Sequence, residues 1–369
     1  MPKSYPALLA AIIAAGGWYF TKGPGAGQFP QFINSITHSQ TTNTQFGQQP
    51  GYPQTPSYSG YPSQPNAAPI PANYANYGNQ PTTPVIATPP PTPMNGGPAI
   101  RIASFNIEAW GDTKGSKPYV MATLASIIQR FQIVAIQEIR TKDEYFVDNF
   151  LRTYVNQNGR VYNKVIGPRL GRTVSKEQYA FIYDTAAVEV NPRCVFTVND
   201  PDDLLHREPL VAMFRVRGPP AQQAFTFVLV DIHTDPDETK SELNALGQVY
   251  QAVRRACSGE DDIILLGDLN VDDKHLGDLG RIDGIYPVVR STYTNTLQKS
   301  QFDNIIFHGP STTEFTGRWG VLNVANEFHL NLNQALEVSD HFPIWAEFSA
   351  YESTTPGRVA YRDGALITQ

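Results

Sequence analysis

Charge is what this chain lacks over its longest uniform stretch. From residue 23 to residue 100, 78 positions in a row carry no Asp, Glu, Lys or Arg. A segment made mainly of Gln, Asn, Pro, Gly, Tyr, Thr and Ser ("GYPQTPSYSGYPSQP") has too little apolar surface to offset the entropy lost on ordering. Residues 23–98 therefore read as an extended, disordered linker, and no strict repeat marks them as a solenoid. Self-association through the interleaved tyrosines is a second reading. Cysteine is nearly absent too. Cys194 and Cys257 alone exclude a dense disulfide framework and a zinc-type Cys/His cluster. Cys257 shares a helical face with Leu246, Val249, Tyr250 and Val253, which reads as a buried free thiol. The apolar run from Ala7 to Phe20, flanked by Lys3 and Lys22, has 14 residues, short of the ~20 that a bilayer-spanning helix needs. It fits the apolar region of a secretory signal, although "AAGG" is a weak cleavage site. Residues 1–22 are thus a cleaved signal peptide or a short membrane anchor, and both readings place the protein outside the cytoplasm, exported or membrane-anchored.

All 34 acidic residues and 26 of the 28 basic ones lie beyond this region, leaving it at −8. Such a balance argues against a general polyanion-binding surface, while a local basic patch or bound metal ions can still hold a phosphate. Residues 99–350 are long enough for one sizeable domain, followed by a tail at 351–369. Strands are expected at 100–107, 133–139, 179–184, 210–216, 225–233, 262–270, 302–308 and 341–348, and helices near 117–130, 142–157 and 237–257. The last helix has a start signal: Asp235 as N-cap, Pro236 at the first helical position and Glu238 three residues after the cap. Many strands with few helices predict an α+β fold in which sheet packs on sheet with helices outside.

Polar residues recur where these apolar strands end: Asn106, Glu138, His233, Asp268, Asn270, Asp303, Asp340 and His341. Taken singly, a strand-end Asp or Asn is a turn former and a lone His a structural residue. Together, at the ends of rigid strands, they can face one cleft. Glu138, Asp268 and Asp340, with Asn106 and Asn270 as neutral partners, suit a hard Mg²⁺ or Mn²⁺ ion. The chemistry such a set supports is phosphodiester hydrolysis. Two histidines can divide the proton work, one drawing a proton from the attacking water and the other supporting the crowded phosphorane, with Glu177 and Asp303 as their orienting carboxylates.

The order Asn106, Gln137-Glu138, Glu177, His233, Gly267-Asp268-Leu269-Asn270, Asp303, Ser339-Asp340-His341 resembles the endonuclease/exonuclease/phosphatase superfamily. Within it, "FNIEAWGDTK", "VAIQEIR", "LGRTVSKEQYAFIY", "REPLVAMF", "GDLN" and "SDHFP" are similar to the deoxyribonuclease I family, over about residues 100–348. The resemblance implies a four-layer α/β/β/α sandwich of two central mixed sheets flanked by helices. It further implies a monomer that cuts double-stranded DNA, largely without sequence preference, to 5′-phosphate and 3′-hydroxyl ends with a divalent metal. His233 and His341 match the catalytic histidines, Glu177 and Asp303 their partners, and Glu138, Asp268, Asp340, Asn106 and Asn270 the metal and phosphate residues. Arg140 matches an arginine that enters the minor groove, and Arg207 one that holds a backbone phosphate. Both also read as surface ion pairs. Asp203 and Glu208 match part of a structural calcium loop whose remainder does not align. Ser175 stands where the family has a sugar-stacking aromatic, and the family's disulfide cysteines have no counterpart. Other branches remain alternatives: a sphingomyelinase-like or inositol-phosphate phosphatase-like enzyme, or an inactive envelope-tethered binding module. His233 in "DIHTDP" argues against the abasic-site branch.

Overall fold

The computed structural model describes residues 98–157, 159–257 and 260–353, and the backbone of a strand pair at 361–362 and 365–366. They belong to one of the two units into which the chain divides, Met1–Lys22 with Pro89–Gln369; the other, Gly23–Thr88, lies outside the described residues. The apolar run at 7–20, nearly all of the linker and most of the tail also lie outside them. Among the described residues no helix is long and apolar enough to cross a membrane.

Two six-stranded sheets carry the fold. The first runs in the order β11 (Phe315–Val321), β12 (Ile344–Ser349), β1 (Ala99–Trp110), β2 (Ile133–Ile139), β4 (Gln178–Asp184), β3 (Tyr162–Ile166). The second runs β5 (Val188–Thr197), β6 (Leu210–Val216), β7 (Thr226–His233), β8 (Ile263–Asp268), β10 (Asp303–His308), β9 (Ile285–Pro287). The pairs β1/β2 and β7/β8 are parallel and the other pairs in these sheets antiparallel, so both are mixed. Helices α1 (Asp112–Gly115), α2 (Pro118–Ile128), α3 (Phe146–Phe150, running on as a π turn through Val155), α5 (Val324–Glu327) and α6 (Leu332–Val338) accompany the first sheet, and α4 (Thr239–Ala256) the second. The remaining strands, β13 (Tyr361–Arg362) and β14 (Ala365–Leu366), form a separate pair.

Alternation within the strands builds the layers. On β1 and β2, Ile100, Ile102, Ile133 and Ala135 point between the sheets, while Ala103, Phe105, Val134 and Ile136 point toward α2 and α3. On β7 and β8, Phe227, Leu229, Ile264 and Leu266 face the inter-sheet core, and Val228, Val230, Ile263 and Leu265 face α4. Three apolar interfaces therefore separate four layers, the sandwich expected from the resemblance. Central strands apolar on both faces, such as "IVAIQEI", follow from this double burial.

Helix α4 departs from its expected start. It begins at Thr239, with Glu238 preceding it and making no side-chain cap. The Asp235 carboxylate instead receives Asp237 N at 2.9 Å, an Asx turn, and Asp235 N is held by the buried Glu242 carboxylate. Fixed by both bonds, Asp235 to Glu238 stay a turn. Cys257 is buried as expected, with its Sγ facing that of Cys194 on β5.

Candidate active site

The same alternation brings polar side chains to one end of the inter-sheet space. Ser104 and Asn106 follow Ile102 in step, Gln137 follows Ala135, Asp231 and His233 follow Leu229, and Asp268 follows Leu266. Strand register sets them level: Asn106 is paired with Gln137, His233 with Asp268 and Asp268 with Asp303. Because β10 and β12 run opposite to β8 and β1, their starts lie at the same end, which delivers Asp303 as the first residue of β10 and His341 just ahead of β12.

Glu138 should face away from this end by alternation. A bulge corrects it. Register slips between Ile136 and Ile139 on β2 and between Asn106 and Trp110 on β1, and the residues concerned, Glu138, Glu108 and Ala109, have φ of 64°, 39° and 49°. Left-handed backbone at such residues costs on the order of 1–3 kcal/mol each and clusters at functional sites. The Glu138 carboxylate consequently accepts from Asn106 Nδ2 at 3.1 Å and Ala109 N at 2.8 Å. Gly267 is required in another way. Its φ is 148°, and an added Cβ would lie 1.9 Å from Ile232 O, so only glycine allows β7 and β8 to bring His233 beside Asp268.

Two histidine–carboxylate pairs flank Asp268. Glu177 Oε1 lies 2.8 Å from His233 Nδ1, and Asp303 Oδ2 lies 2.8 Å from His341 Nδ1. Each pairing leaves Nε2 as the working nitrogen, and both Nε2 atoms turn to Asp268 Oδ2, at 3.6 Å from His233 and 3.4 Å from His341. Asn106 Nδ2 donates to the same oxygen at 3.0 Å. Burial pushes both histidines down, but Glu177 and Asp268 reverse this at His233, and Asp303 and Asp268 reverse it at His341, which ends well above the usual range. Burial raises Asp268 in turn, and the two histidines outweigh it and hold its carboxyl below the usual value.

Asn270 places its own N on Asp268 Oδ1 at 2.9 Å and its side-chain Nδ2 on Thr234 O at 2.8 Å. Asp340, half-exposed, lies at the rim with Oδ1 3.9 Å from His341 Nε2. Glu138, Asp268, Asp340, Asn106 and Asn270 thus sit around one cleft. The acids group with the histidines in two halves, Glu138–Glu177–His233 and Asp268–Asp303–His341. Oxygen donors of this kind fit a hard divalent cation, and Glu177 Oε2 and Asp303 Oδ1 are buried without a hydrogen-bond partner.

Arg140 stands at the cleft edge, 35% exposed, with Nη2 2.9 Å from Glu138 and 3.8 Å from Glu177. Arg207 is not the surface ion pair that its sequence allows. It is buried, with Nε 3.2 Å from Glu177 and Nη1 donating to His233 O at 2.9 Å. Asp203 and Glu208 do not come together in a ligand cluster among the described residues, and the Asp203 carboxylate is taken by Arg172 at 3.0 Å. Ser175 lies on an exposed loop.

Several supporting residues escape a reading of motifs. Tyr179 Oη accepts from His233 N at 2.9 Å. Asp231, fully buried, accepts from Gln137 Nε2 at 2.5 Å. Lys114 Nζ is buried and donates to Ile107 O at 2.7 Å and Val338 O at 2.9 Å, joining the bulged end of β1 to the end of α6. Ser339 extends the tie, its Oγ donating to Asn106 O at 2.6 Å and accepting from His341 N at 3.0 Å. The alternation of β4 and β7 pointed to Tyr179 and Asp231; nothing local pointed to Lys114.

Comparisons with known proteins identify the family. The model of the Endonuclease/Exonuclease/phosphatase family matches residues 102–341. Deoxyribonuclease-1-like 1 of Cricetulus griseus is 32% identical over 262 residues, covering 68% of this chain and 84% of that protein. Deoxyribonuclease gamma of Rattus norvegicus is 29% identical over 282 residues, covering 72% and 89%. A solved endonuclease/exonuclease/phosphatase family protein of Bacteroides thetaiotaomicron aligns at 16% identity and a TM-score of 0.47, over 68% of this chain and 94% of its own. The matched stretch runs from Ile102 on β1 to His341, spanning both histidine–carboxylate pairs, and the chain belongs to the endonuclease/exonuclease/phosphatase family.

Proposed function

We propose that this protein is an exported or membrane-anchored endonuclease that hydrolyses phosphodiester bonds of double-stranded DNA, leaving 5′-phosphate and 3′-hydroxyl ends, and that the activity resides in residues 99–350. The observation that carries this reading is the pair of buried units Glu177–His233 and Asp303–His341, whose free Nε2 atoms converge on Asp268 from two sides. A phosphate between two imidazoles meets a proton acceptor on one face and a donor on the other, as in-line hydrolysis requires. The deoxyribonuclease relatives favour DNA over the phospholipid and inositol-phosphate alternatives.

A bound Mg²⁺ or Mn²⁺, held by Glu138, Asp268 and Asp340 with Asn106 and Asn270, would neutralise phosphate charge. The chain's own residues do the rest. Glu177 and Asp303 fix the ring orientation and tautomer of their histidines. One histidine takes the proton of the attacking water as its oxygen bonds to phosphorus; the other, protonated, supports the phosphorane and gives its proton to the 3′ oxygen as the P–O3′ bond breaks. Tyr179 holds the His233 backbone, and Ser339 the His341 backbone, so that neither ring swings out of line. Arg207 positions Glu177 from behind, and Arg140 is the side chain best placed to reach a groove.

Incubation of the protein with supercoiled plasmid, with and without chelator, tests the reading. Metal-dependent conversion to nicked circles is expected. Intact plasmid with every divalent metal, together with hydrolysis of a phospholipid head group, would overturn it.

A further inference from the structure

At the other end of the sandwich lies a second group of acids that the reaction does not use. Asp262 immediately precedes β8, six residues from Asp268 along that strand. This is ~20 Å at the usual rise of a strand. Glu314 immediately precedes β11, and Glu352 follows the end of β12. Ligand oxygens of Asp262, Glu314 and Glu352 lie within 4.8 Å of one another, as do those of Glu260, Asp261 and Asp262. That is the spread of oxygens around a single calcium ion, since two ligands at ~2.4 Å on opposite sides of it are ~4.8 Å apart.

Three of the four carboxylates are anchored at one oxygen. Glu352 Oε1 accepts from Thr226 N at 2.7 Å, and Glu314 Oε1 from Ser353 N at 2.7 Å. Glu260 Oε1 accepts from Asp262 N at 3.0 Å. Asp262 is 3% and Glu314 4% exposed, yet Asp262 Oδ1 and Glu314 Oε2 are buried with no hydrogen-bond partner, and the nearby Thr312 hydroxyl offsets the burial of Asp262 only in part. No Lys, Arg or His makes an ion pair with any of these acids among the described residues. Burial first, and the neighbouring carboxylates next, push Asp262 up to about 9, and burial pushes Glu260 up to about 7. Buried carboxylates in contact are strongly unfavourable unless a proton or a cation neutralises them.

We propose that Asp262, Glu314 and Glu352, with Glu260 beside them, form a binding site for one calcium-sized divalent cation that ties the two sheets together at the end remote from the cleft. Asp262 and Glu260 belong to the second sheet's side, and Glu314 and Glu352 to the ends of first-sheet strands. Glu352 already crosses over, because its segment bonds Gln223 O and Thr226 N at the start of β7. A cation there would brace the packing of the sheets and leave the reaction alone.

The test uses the full chain stripped with chelator, then titrated with calcium in equilibrium dialysis and in thermal unfolding. Wild type should bind one more calcium than Glu314→Gln/Glu352→Gln, and its Tm should rise with calcium while that of the double variant does not. Plasmid nicking in Mg²⁺ should be equal in the two. Glu138→Gln, which disturbs the cleft, should keep the calcium-dependent rise in Tm. Should the double variant fail to fold, Glu352→Gln alone, on a partly exposed side chain, should weaken the calcium response. Equal calcium stoichiometry in wild type and variant overturns the inference. So does a Tm raised by the amides in chelator with no calcium response in wild type, since protons would then hold the cluster.

Discussion

Replacing Arg207 by Met separates two roles for this arginine, and the structure sets the size of the effect. The guanidinium is buried against Glu177, itself 1% exposed, and against His233 O. Removing one partner of a buried ion pair leaves the other charge uncompensated, at a cost of about 3–5 kcal/mol. Glu177 keeps His233 at 2.8 Å and Arg140 at 3.8 Å, so the lower end of that range is expected. The loss should appear in urea unfolding at constant m-value. Nicking should fall mainly in kcat, by ~10²-fold or more, because Glu177, though still beside His233, is no longer held in line by Arg207. Adding Glu177→Gln removes the stranded charge, and the double variant should regain most of the stability but none of the activity. An arginine that held a DNA phosphate would behave otherwise. Its loss would raise KM, lower the salt dependence of binding by about one charge and leave unfolding unchanged. That pattern would refute the positioning role.

The site's membership was legible in the sequence because period-two alternation carries polar residues at strand ends to a shared end of the sheets. The exception is instructive. Glu138 lies one residue out of phase, and "IVAIQEI" holds no glycine to announce the bulge that re-aims it. The burial of Arg207 is hidden for a related reason: "HREP" shows a charge that also reads as a surface ion pair, and only the tertiary packing under Glu177 shows that it is buried. Edge strands were missed where their composition is least strand-like. "VEVNPRCVFT" has Pro192 beside a register shift, as an edge strand tolerates, and "FTGRWGV" carries two glycines. Helix α6 is absent from the expected elements although its start signal is in plain view: Asn331 and Gln334 form a capping box, each side chain bonded to the other's backbone N. The expected cap of α4, by contrast, was an attractive local signal overridden by Glu242 from within the helix.

Four further variants probe the same framework. His233→Ala and His341→Ala should each lower nicking ~10²–10⁴-fold while circular dichroism stays native, since neither ring can act from the other's side; near-wild-type rates in either would make that histidine structural. Gly267→Ala puts a methyl 1.9 Å from Ile232 O at a φ of 148°, so a fall in Tm together with lost activity is expected, and an unchanged Tm would show that β7 and β8 tolerate separation. Asp231 gives a pH test. Complete burial holds its carboxyl well above the usual range, with the nearby Glu177 charge adding to this and the Gln137 hydrogen bond opposing it. The folded protein therefore keeps the proton, while the unfolded chain releases it near ~3.9. A raised folded value means that the stabilisation is whole below the unfolded pKa and drains away as pH rises toward the folded one, at about 1.4 kcal/mol per unit. Asp231→Asn retains an acceptor for Gln137 and has no proton to lose. Its stability relative to wild type, measured by urea unfolding upward from pH 5, should climb with that slope until the folded pKa is reached and level off above it; a difference that is flat from pH 5 onward would mean that Asp231 is ionised in the folded protein and finds its compensation elsewhere.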